Sequence, residues 1–528
     1  MPLVSGGNVR HERFRRQGEK RHSESWKSSS GSELTVSWPG ALERSRKGAG
    51  SASGQRETSM SVSQSRAPGA STEHLGHVVM IAGAAALGGF LFGYDTSVIN
   101  GGVDAIQAHF NVGSAMTGLT VSSALLGSAV GAGIAGGLAD RIGRIRVMQL
   151  AAILFIVSAV GSAVPFAIWD LAVWRVIGGV AIGIASVIAP AYIAEVAPAA
   201  YRGRLASLQQ LAIVLGIALS QLVNYGLAAA AGGSASGMLG PLQAWQWMLG
   251  VAAIPAVIYL VVASAIPESP RYLVAAGKLD RARAVLAKIE SGDPDAKIAE
   301  ISDALGGEQK PKLSDLRGKF GVLPIVWVGM AIAALQQFVG INVIFYYSSS
   351  LWQSVGIDES SSLLLSLFTS IVNIIGTLIA IALVDRIGRK PLLVIGSLGM
   401  AVSLAVTGWA FSFAEVVGED AHLPAQWGVV ALVSASAFVL FFAGSWGVVM
   451  WVLLGEMFPA RVRAAALAVG TATNWVANWL VTVSFPSLRD WNLPATYFMY
   501  ALFALISLVF VLRYLKETNG RSLEEMGR

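Results

Sequence analysis

Apolar residues run along this chain in blocks of about 20 positions or more, and polar and charged residues are confined to the stretches between the blocks. A helix rising about 1.5 Å per residue needs that many residues to cross a hydrocarbon core about 30 Å thick. Blocks begin near positions 77, 116, 145, 168, 205, 245, 322, 361, 391, 427, 463 and 495. The pattern predicts an all-α membrane protein of about twelve transmembrane helices, six from about 77 to 266 and six from about 322 to 515.

The stretches outside the blocks differ in kind. Residues 1–75 are polar, rich in Ser, Gly and Arg, and lack the apolar centre of a signal peptide, so they are expected to form a disordered cytoplasmic tail, with Met60 a plausible alternative start. Residues 76–268 hold the first six spans. Residues 269–320 alternate charges with Leu279, Ala282, Val285, Leu286 and Ile289 at helical spacing, the pattern of amphipathic helices lying on a membrane face. Pro267 and Pro270 end span six there, and Ser269 can cap the next helix. Residues 321–515 hold the second six spans. In the tail at 516–528, Glu517-Thr518-Asn519-Gly520-Arg521 resembles Pro267-Glu268-Ser269-Pro270-Arg271.

Two charged sequences occur twice, roughly half the chain apart and in the same order. Asp140-Arg141-Ile142-Gly143-Arg144 returns as Asp385-Arg386-Ile387-Gly388-Arg389. Glu195, Pro198 and Arg202 return at the same spacing as Glu456, Pro459 and Arg463. The repeating unit is therefore a whole bundle, and the predicted fold is two related six-helix bundles joined by the amphipathic segment.

Composition agrees: 54% of residues are hydrophobic and 13% charged, with mean hydropathy +0.60, where a soluble chain carries about a quarter of its residues as charges. Cysteine is absent, and the six histidines are scattered without ligand spacing, so neither a metal nor a cofactor is expected. We also find no pairing of nucleophile and base that would make an enzyme. The net charge of +6 does not indicate a nucleic-acid partner, because the basic residues sit in alternate loops. One set of loops carries Arg141, Arg144 and Arg146, then Arg202 and Arg204, the stretch Arg271 to Lys319, Arg386, Arg389 and Lys390, and Arg461 and Arg463. The other set carries almost none, Arg489 excepted. The positive-inside rule places the rich set and both termini in the cytoplasm.

A charge inside hydrocarbon costs about 2.5–3.5 kcal/mol on insertion scales, so each one needs a reason. Asp95 in span one and Arg175 in span four have opposite sign. They read either as a static ion pair or as a proton carrier whose carboxylate stays charged while the arginine is close and accepts a proton when it moves away. Uncharged polar residues gather elsewhere: Gln209 and Gln210 in span five, Gln336, Gln337 and Asn342 in span seven, Asn373 in span eight, and Trp446, Trp451, Asn474, Trp475 and Asn478 in spans ten and eleven. A single amide can simply glue helices. As a set they offer the donors, acceptors and flat apolar faces that a sugar ring needs. Gln337 and Asn342 lie about 140° apart on a regular helix, so a local break would help both reach one ligand.

These residues resemble the sugar porter family of the major facilitator superfamily, over nearly everything from about 77 to 525. The resemblance rests on Gly93-Tyr94-Asp95, Arg175, both Asp-Arg-x-Gly-Arg loops, Pro267 to Arg271, Gln336 to Asn342 and Glu517 to Arg521, and it is strongest to proton-coupled glucose permeases of actinobacteria. It implies a sugar site between two bundles and alternating access. By position, Gln210, Gln336, Gln337, Asn342, Asn373, Trp451 and Asn478 match sugar contacts, and Asp95 matches the proton-coupling carboxylate, with Arg175 its modulator. Tyr346 and Tyr347 are outer-gate candidates. Asp140, Arg144, Glu195, Arg202, Asp385, Arg389, Glu456 and Arg463 match a charge network expected to latch the cytoplasmic ends together in the outward-open state. Two departures stand out: Ile145 follows the first loop where a basic residue is usual, and span ten lacks the prolines of many relatives, leaving Gly447 as its flexible position.

The expected function is proton-coupled symport of a hexose, glucose first, across the cytoplasmic membrane, by a protein acting as a monomer with monosaccharide, protons and the bilayer as its partners. A facilitative uniporter and a sugar sensor on the same fold are the alternatives. A drug or organic-acid antiporter would call for acidic pockets or more intramembrane Arg and Lys.

Overall fold

The computed structural model describes residues 72–518, apart from 198–201, 290–291, 308–315, 319–320, 418–419 and 459–461. The expected amino-terminal tail up to residue 71, Pro198, Pro459 and the closing Gly520-Arg521 lie outside the described residues, and the last four residues assigned to that tail, 72–75, already belong to the first helix.

The described chain is helical almost throughout. Helix α1 (Thr72–Val98) runs through one 3-10 turn at Ile99–Gly101 into the short α2 (Val103–Phe110). Then come α3 (Ser114–Ile142), α4 (Arg144–Ala163), α5 (Ile168–Val196), α6 (Arg202–Ala230), α7 (Ala244–Val251) and α8 (Ala253–Ala265), the last two making one span. Three amphipathic pieces come next: α9 (Pro270–Ala275), capped by the Ser269 side chain, α10 (Leu279–Ile289) and α11 (Pro294–Gly307). The second half holds α12 (Pro324–Phe338), α13 (Ile341–Gln353), α14 (Glu359–Ile387), α15 (Arg389–Phe411), α16 (Ala425–Ala443), α17 (Trp446–Met457) and α18 (Arg463–Tyr514). At 52 residues α18 is about twice the length one crossing requires, and its backbone leaves helical geometry at Asn492 (φ −168°, ψ 100°), just before Pro494. It is therefore long enough to cross twice, which brings the candidate crossings among the described residues to twelve.

Spans seven and ten are broken rather than continuous. In span seven the break falls at Gly340, whose φ of +81° suits glycine and whose missing side chain leaves room for the Tyr500 ring. In span ten it falls at Ser445 (φ −142°, ψ −88°), two residues before Gly447, the position expected to flex. Ser445 Oγ donates to Phe441 O at 2.5 Å, which competes with the helix ladder there, and Gly447 lies inside α17.

Small residues decide how closely the helices pack. A side chain on Gly127 would lie 2.2 Å from Val176 O, and one on Gly179 1.9 Å from Ala124 O, so α3 and α5 touch backbone to backbone. Gly133, Gly136 and Gly137 of α3 face open space instead.

Both Asp-Arg-x-Gly-Arg loops fold alike at the basic end. Arg144 reaches Glu195 through Nε and Nη2 at 3.1 and 3.0 Å, and Asp140 at 3.2 Å. Arg389 reaches Glu456 at 3.1 and 2.7 Å, and Asp385 at 3.1 Å. Arg463 Nε donates to Phe458 O at 3.2 Å, while the side chain of Arg202 lies outside the described residues. The latch between the halves is an expectation for the outward-open state; in the present conformation Arg144 and Arg389 bond carboxylates of their own halves. In this conformation the charges brace each bundle separately.

Candidate functional site

Among the described residues, the hydrogen bonds that join the two halves lie at the end opposite the basic loops. Ser97 Oγ donates to Phe345 O at 3.2 Å, Asn100 Nδ2 to Ser348 Oγ at 3.2 Å, and the Ser349 N–H to Asn100 Oδ1 at 3.1 Å. Asp104 accepts from Ser350 and Gln353, Asp490 accepts from Ser114, and Glu359 accepts from the Ala235 N–H. The donors and acceptors of α13 meet the end of α1 because the break at Gly340 redirects α13 toward the opposite half. Tyr346 and Tyr347 sit on this segment, both buried; the Tyr347 hydroxyl donates to Thr482 O at 3.1 Å and its ring packs against Phe485.

Beneath this joint the same break assembles the amides. Asn342 Nδ2 donates to Gln337 Oε1 at 2.6 Å, so the two residues meet across the interruption. Gln337 Nε2 donates to Gln336 Oε1 and Asn474 Oδ1 at 3.1 and 3.2 Å. Asn474 Nδ2 returns a bond to Gln336 Oε1 at 2.8 Å, and Gln336 Nε2 donates to Trp446 O at 3.2 Å. Asn474 is thus central to the cluster, although its sequence position marks it only as one of several polar residues of span eleven. Asn478, one turn on, accepts from Thr482 at 3.2 Å, and Asn373 is buried on α14.

The aromatic residues separate into two kinds. Trp446 is fully buried and its Nε1–H bonds Ser397 Oγ at 2.9 Å, which makes it part of the packing. Trp451 keeps 41% of its surface accessible and, among the described residues, makes no hydrogen bond with the amides. Trp475 of α18 meets Phe92 of α1 across the halves, ring centres 5.8 Å apart. On α6, Gln209 packs so close to α1 that a side chain on Gly89 would lie 2.6 Å from its Nε2, while Gln210 is half-buried. Trp475 Nε1–H and Gln209 Oε1 are buried without a partner in the protein, one donor and one acceptor. Leaving such groups unpaired costs about 1–3 kcal/mol each, so they favour a polar ligand.

Asp95 and Arg175 meet inside the first half. Arg175 Nη1 donates to Asp95 Oδ2 at 3.2 Å, and Nη1 and Nη2 both donate to the Asp95 carbonyl at 3.2 Å, with side chains only 3% and 6% exposed for Arg and Asp. Removing one partner of so buried a pair costs about 3–5 kcal/mol, because it strands the other charge. Tyr346, from the opposite half, lies within electrostatic range of both charges and of Asn478, which links the pair to the amide side. Two ion-pair partners in one bundle and most of the amides in the other leave the halves chemically unequal. Among the described residues, no group of three or more His, Cys, Asp or Glu is arranged to hold a metal ion.

Comparison with known proteins bears on this geometry. A family model described as "sugar (and other) transporter" matches residues 81–528. A glucose transport protein of Synechocystis is 53% identical over 465 residues, covering 88% of this chain and 99% of that protein. The D-xylose-proton symporter of Escherichia coli K12 is 35% identical over 484 residues, covering 85% and 95%. The partially occluded inward-open structure of the E. coli xylose transporter XylE superposes with TM-score 0.73 at 34% identity, covering 85% of this chain and all of that one.

Proposed function

The chain belongs to the sugar transporter family, and from that premise we propose that it carries a hexose, glucose first, into the cell together with a proton. The observation that carries the reading is the pairing of a buried, direct Asp95–Arg175 contact with a bonded amide set across the same interior. The names of the relatives, a glucose transport protein and a xylose-proton symporter, support both parts of it.

The sugar is held by the amides of Gln336, Gln337, Asn342 and Asn474, with Gln210 and Asn478 at the edges and Asn373 and Trp451 from neighbouring spans. Amides that already bond one another in a closed ring are pre-oriented, so exchanging those bonds for hydroxyls costs little ordering entropy. Contact with Arg175 favours the charged form of Asp95; a proton that neutralises the carboxylate releases the arginine. Rocking of the halves would open the joint formed by Asn100, Ser348 and Ser349 on one side and separate the basic ends on the other, with Tyr346 and Tyr347 closing over the sugar. The charged loops then hold each bundle rigid, so that the halves move as bodies. The basic loops and both termini face the cytoplasm, and the protein works as a monomer in the cytoplasmic membrane.

A uniporter is the second reading, in which the Asp95 pair is structural only. Uptake of a labelled sugar panel into a transport-deficient bacterium, with and without a protonophore, tests both. Accumulation that the protonophore collapses is the expected result, and a rise in external pH on adding sugar accompanies it. Equilibration unaffected by the protonophore supports the uniporter; no uptake of any sugar or polyol overturns the reading.

A further inference from the structure

Outside the apolar spans, on α2, Asp104 is half-buried in the joint between the halves. Each of its oxygens accepts one bond, from Ser350 Oγ at 2.6 Å and from Gln353 Nε2 at 3.1 Å. Both donors are neutral, and both belong to the opposite half. The cation on this joint, Arg489 of α18, donates to Ser350 and is engaged by Asp490, whose Oδ1 accepts from its Nε and Nη2 at 3.1 and 3.0 Å. The other charges acting on Asp104 are the carboxylates of Asp490 and of Glu359 at the head of α14. His109, the other titratable residue of α2, packs edge-on against Trp245. The carboxylate is thus half-buried among neutral donors, near two like charges and one cation that already has a partner. A cavity of about 430 Å³ lies beside it, bordered on its polar side by Asp104, Ser350, Gln353, Arg489 and Asp490. At about 30 Å³ per molecule that is room for several waters, which gives the carboxyl a route to the medium.

We propose that Asp104 is a second protonatable residue of the transport cycle, taking a proton from water on the outer face as the halves close there and returning it as they part. Only an O–H bond forms and breaks, and the proton never crosses the membrane at this residue. The proposal rests on the reading of the chain as an alternating-access transporter. The direction of the linkage comes from burial. In the closed joint burial raises the Asp104 pKa, opposed by the Ser350 hydrogen bond and then by Arg489; in the open joint the carboxyl is hydrated and titrates near its ordinary value of about 4. The closed state therefore binds the proton more tightly. Its contribution to closure is fully present below about pH 4 and is lost as pH rises through the raised value, so acid outside favours closing and alkali favours opening.

The chain has no cysteine, so one introduced thiol reports on the joint without interference. Ser97 is fully buried at the joint, and S97C should react with a membrane-impermeant maleimide in right-side-out vesicles only when the outer end opens. Rates at each pH are divided by those of S236C, an exposed position on the same face, to remove the intrinsic pH dependence of the thiol. The expected ratio rises severalfold from pH 5 to pH 8. Adding D104N, a neutral side chain of the same shape, should flatten the profile at its acid level, while S350A, which loses a bond across the joint, should raise the ratio at every pH. A profile that survives D104N unchanged overturns the proposal, and so does a flat profile in S97C alone, which needs no further variant to fold. Sugar uptake is scored separately: pH-dependent labelling without transport defeats the transport reading, and transport with flat labelling defeats the role of Asp104.

Discussion

The Glu268 carboxylate occupies the space that a side chain on Gly143 would need. An added Cβ would lie 2.3 Å from Glu268 Oε2, and the carboxylate accepts the Arg144 N–H at 2.9 Å and the Ile145 N–H at 3.3 Å, at the amino end of α4. Glu517 does the same at α15, accepting from the Arg389 and Lys390 N–H groups at 3.0 and 2.8 Å, with Gly388 leaving the gap. The first unpaired N–H groups of each helix are thereby satisfied by an anion at the positive end of the dipole. The likeness between the segment after span six and the carboxyl-terminal tail thus has a physical cause: both supply the cap.

Gly143→Ala should therefore be destabilising twice over. The backbone there (φ +99°, ψ 160°) is essentially reserved for glycine, at a cost of about 1–3 kcal/mol for other residues, and the new methyl group also displaces Glu268. Thermal unfolding of the purified protein in detergent should show a clear fall in Tm, with Gly388→Ala behaving alike. An unchanged Tm in both would contradict this account.

Asp95→Asn keeps the shape of the side chain and removes the charge that Arg175 meets. In liposomes the variant is expected to exchange labelled sugar across the membrane but to lose uphill accumulation driven by a pH gradient. Gradient-driven accumulation at the wild-type level would leave Asp95 as a structural residue.

Gln337 and Asn474 share bonds with each other and with Gln336, so truncating either strands a buried partner. With about 1–3 kcal/mol at stake, Gln337→Ala and Asn474→Ala should each weaken sugar binding about 5–150-fold, measured by titration calorimetry. Affinity unchanged in both variants would place the sugar elsewhere.

Gly179 and Gly136 offer a contrast within one pair of neighbouring helices. Ala at 179 would press on Ala124 O from 1.9 Å and force α3 and α5 apart, whereas Ala at 136 meets nothing within 4 Å. Overpacking costs about 1–3 kcal/mol, so Gly179→Ala should lower Tm while Gly136→Ala leaves it alone. Equal effects at the two positions would show that the seam is looser than its geometry.

The twelve apolar runs, their grouping into six and six, the amphipathic insertion and the doubled charged loops were legible in the sequence because hydrocarbon imposes length and composition on each span independently of its neighbours. Asp95 and Arg175 were legible for the same reason: a charge in an apolar run stands out on its own. Relations between spans were decided only by the tertiary structure. It set the break of span ten at Ser445 rather than Gly447, because a side-chain bond to Phe441 O competes with the helix ladder. It made Asn474 the hub of the amides and kept Trp446 as packing, since which face of a span meets the other bundle depends on partners far along the chain. It showed Arg144 and Arg389 bracing their own halves in the conformation that is closed at the outer end, a pairing that repeated motifs alone do not specify. The bonds of Asp104 were equally invisible in the sequence; only the meeting of α2 with α13 brings Ser350 and Gln353 to it.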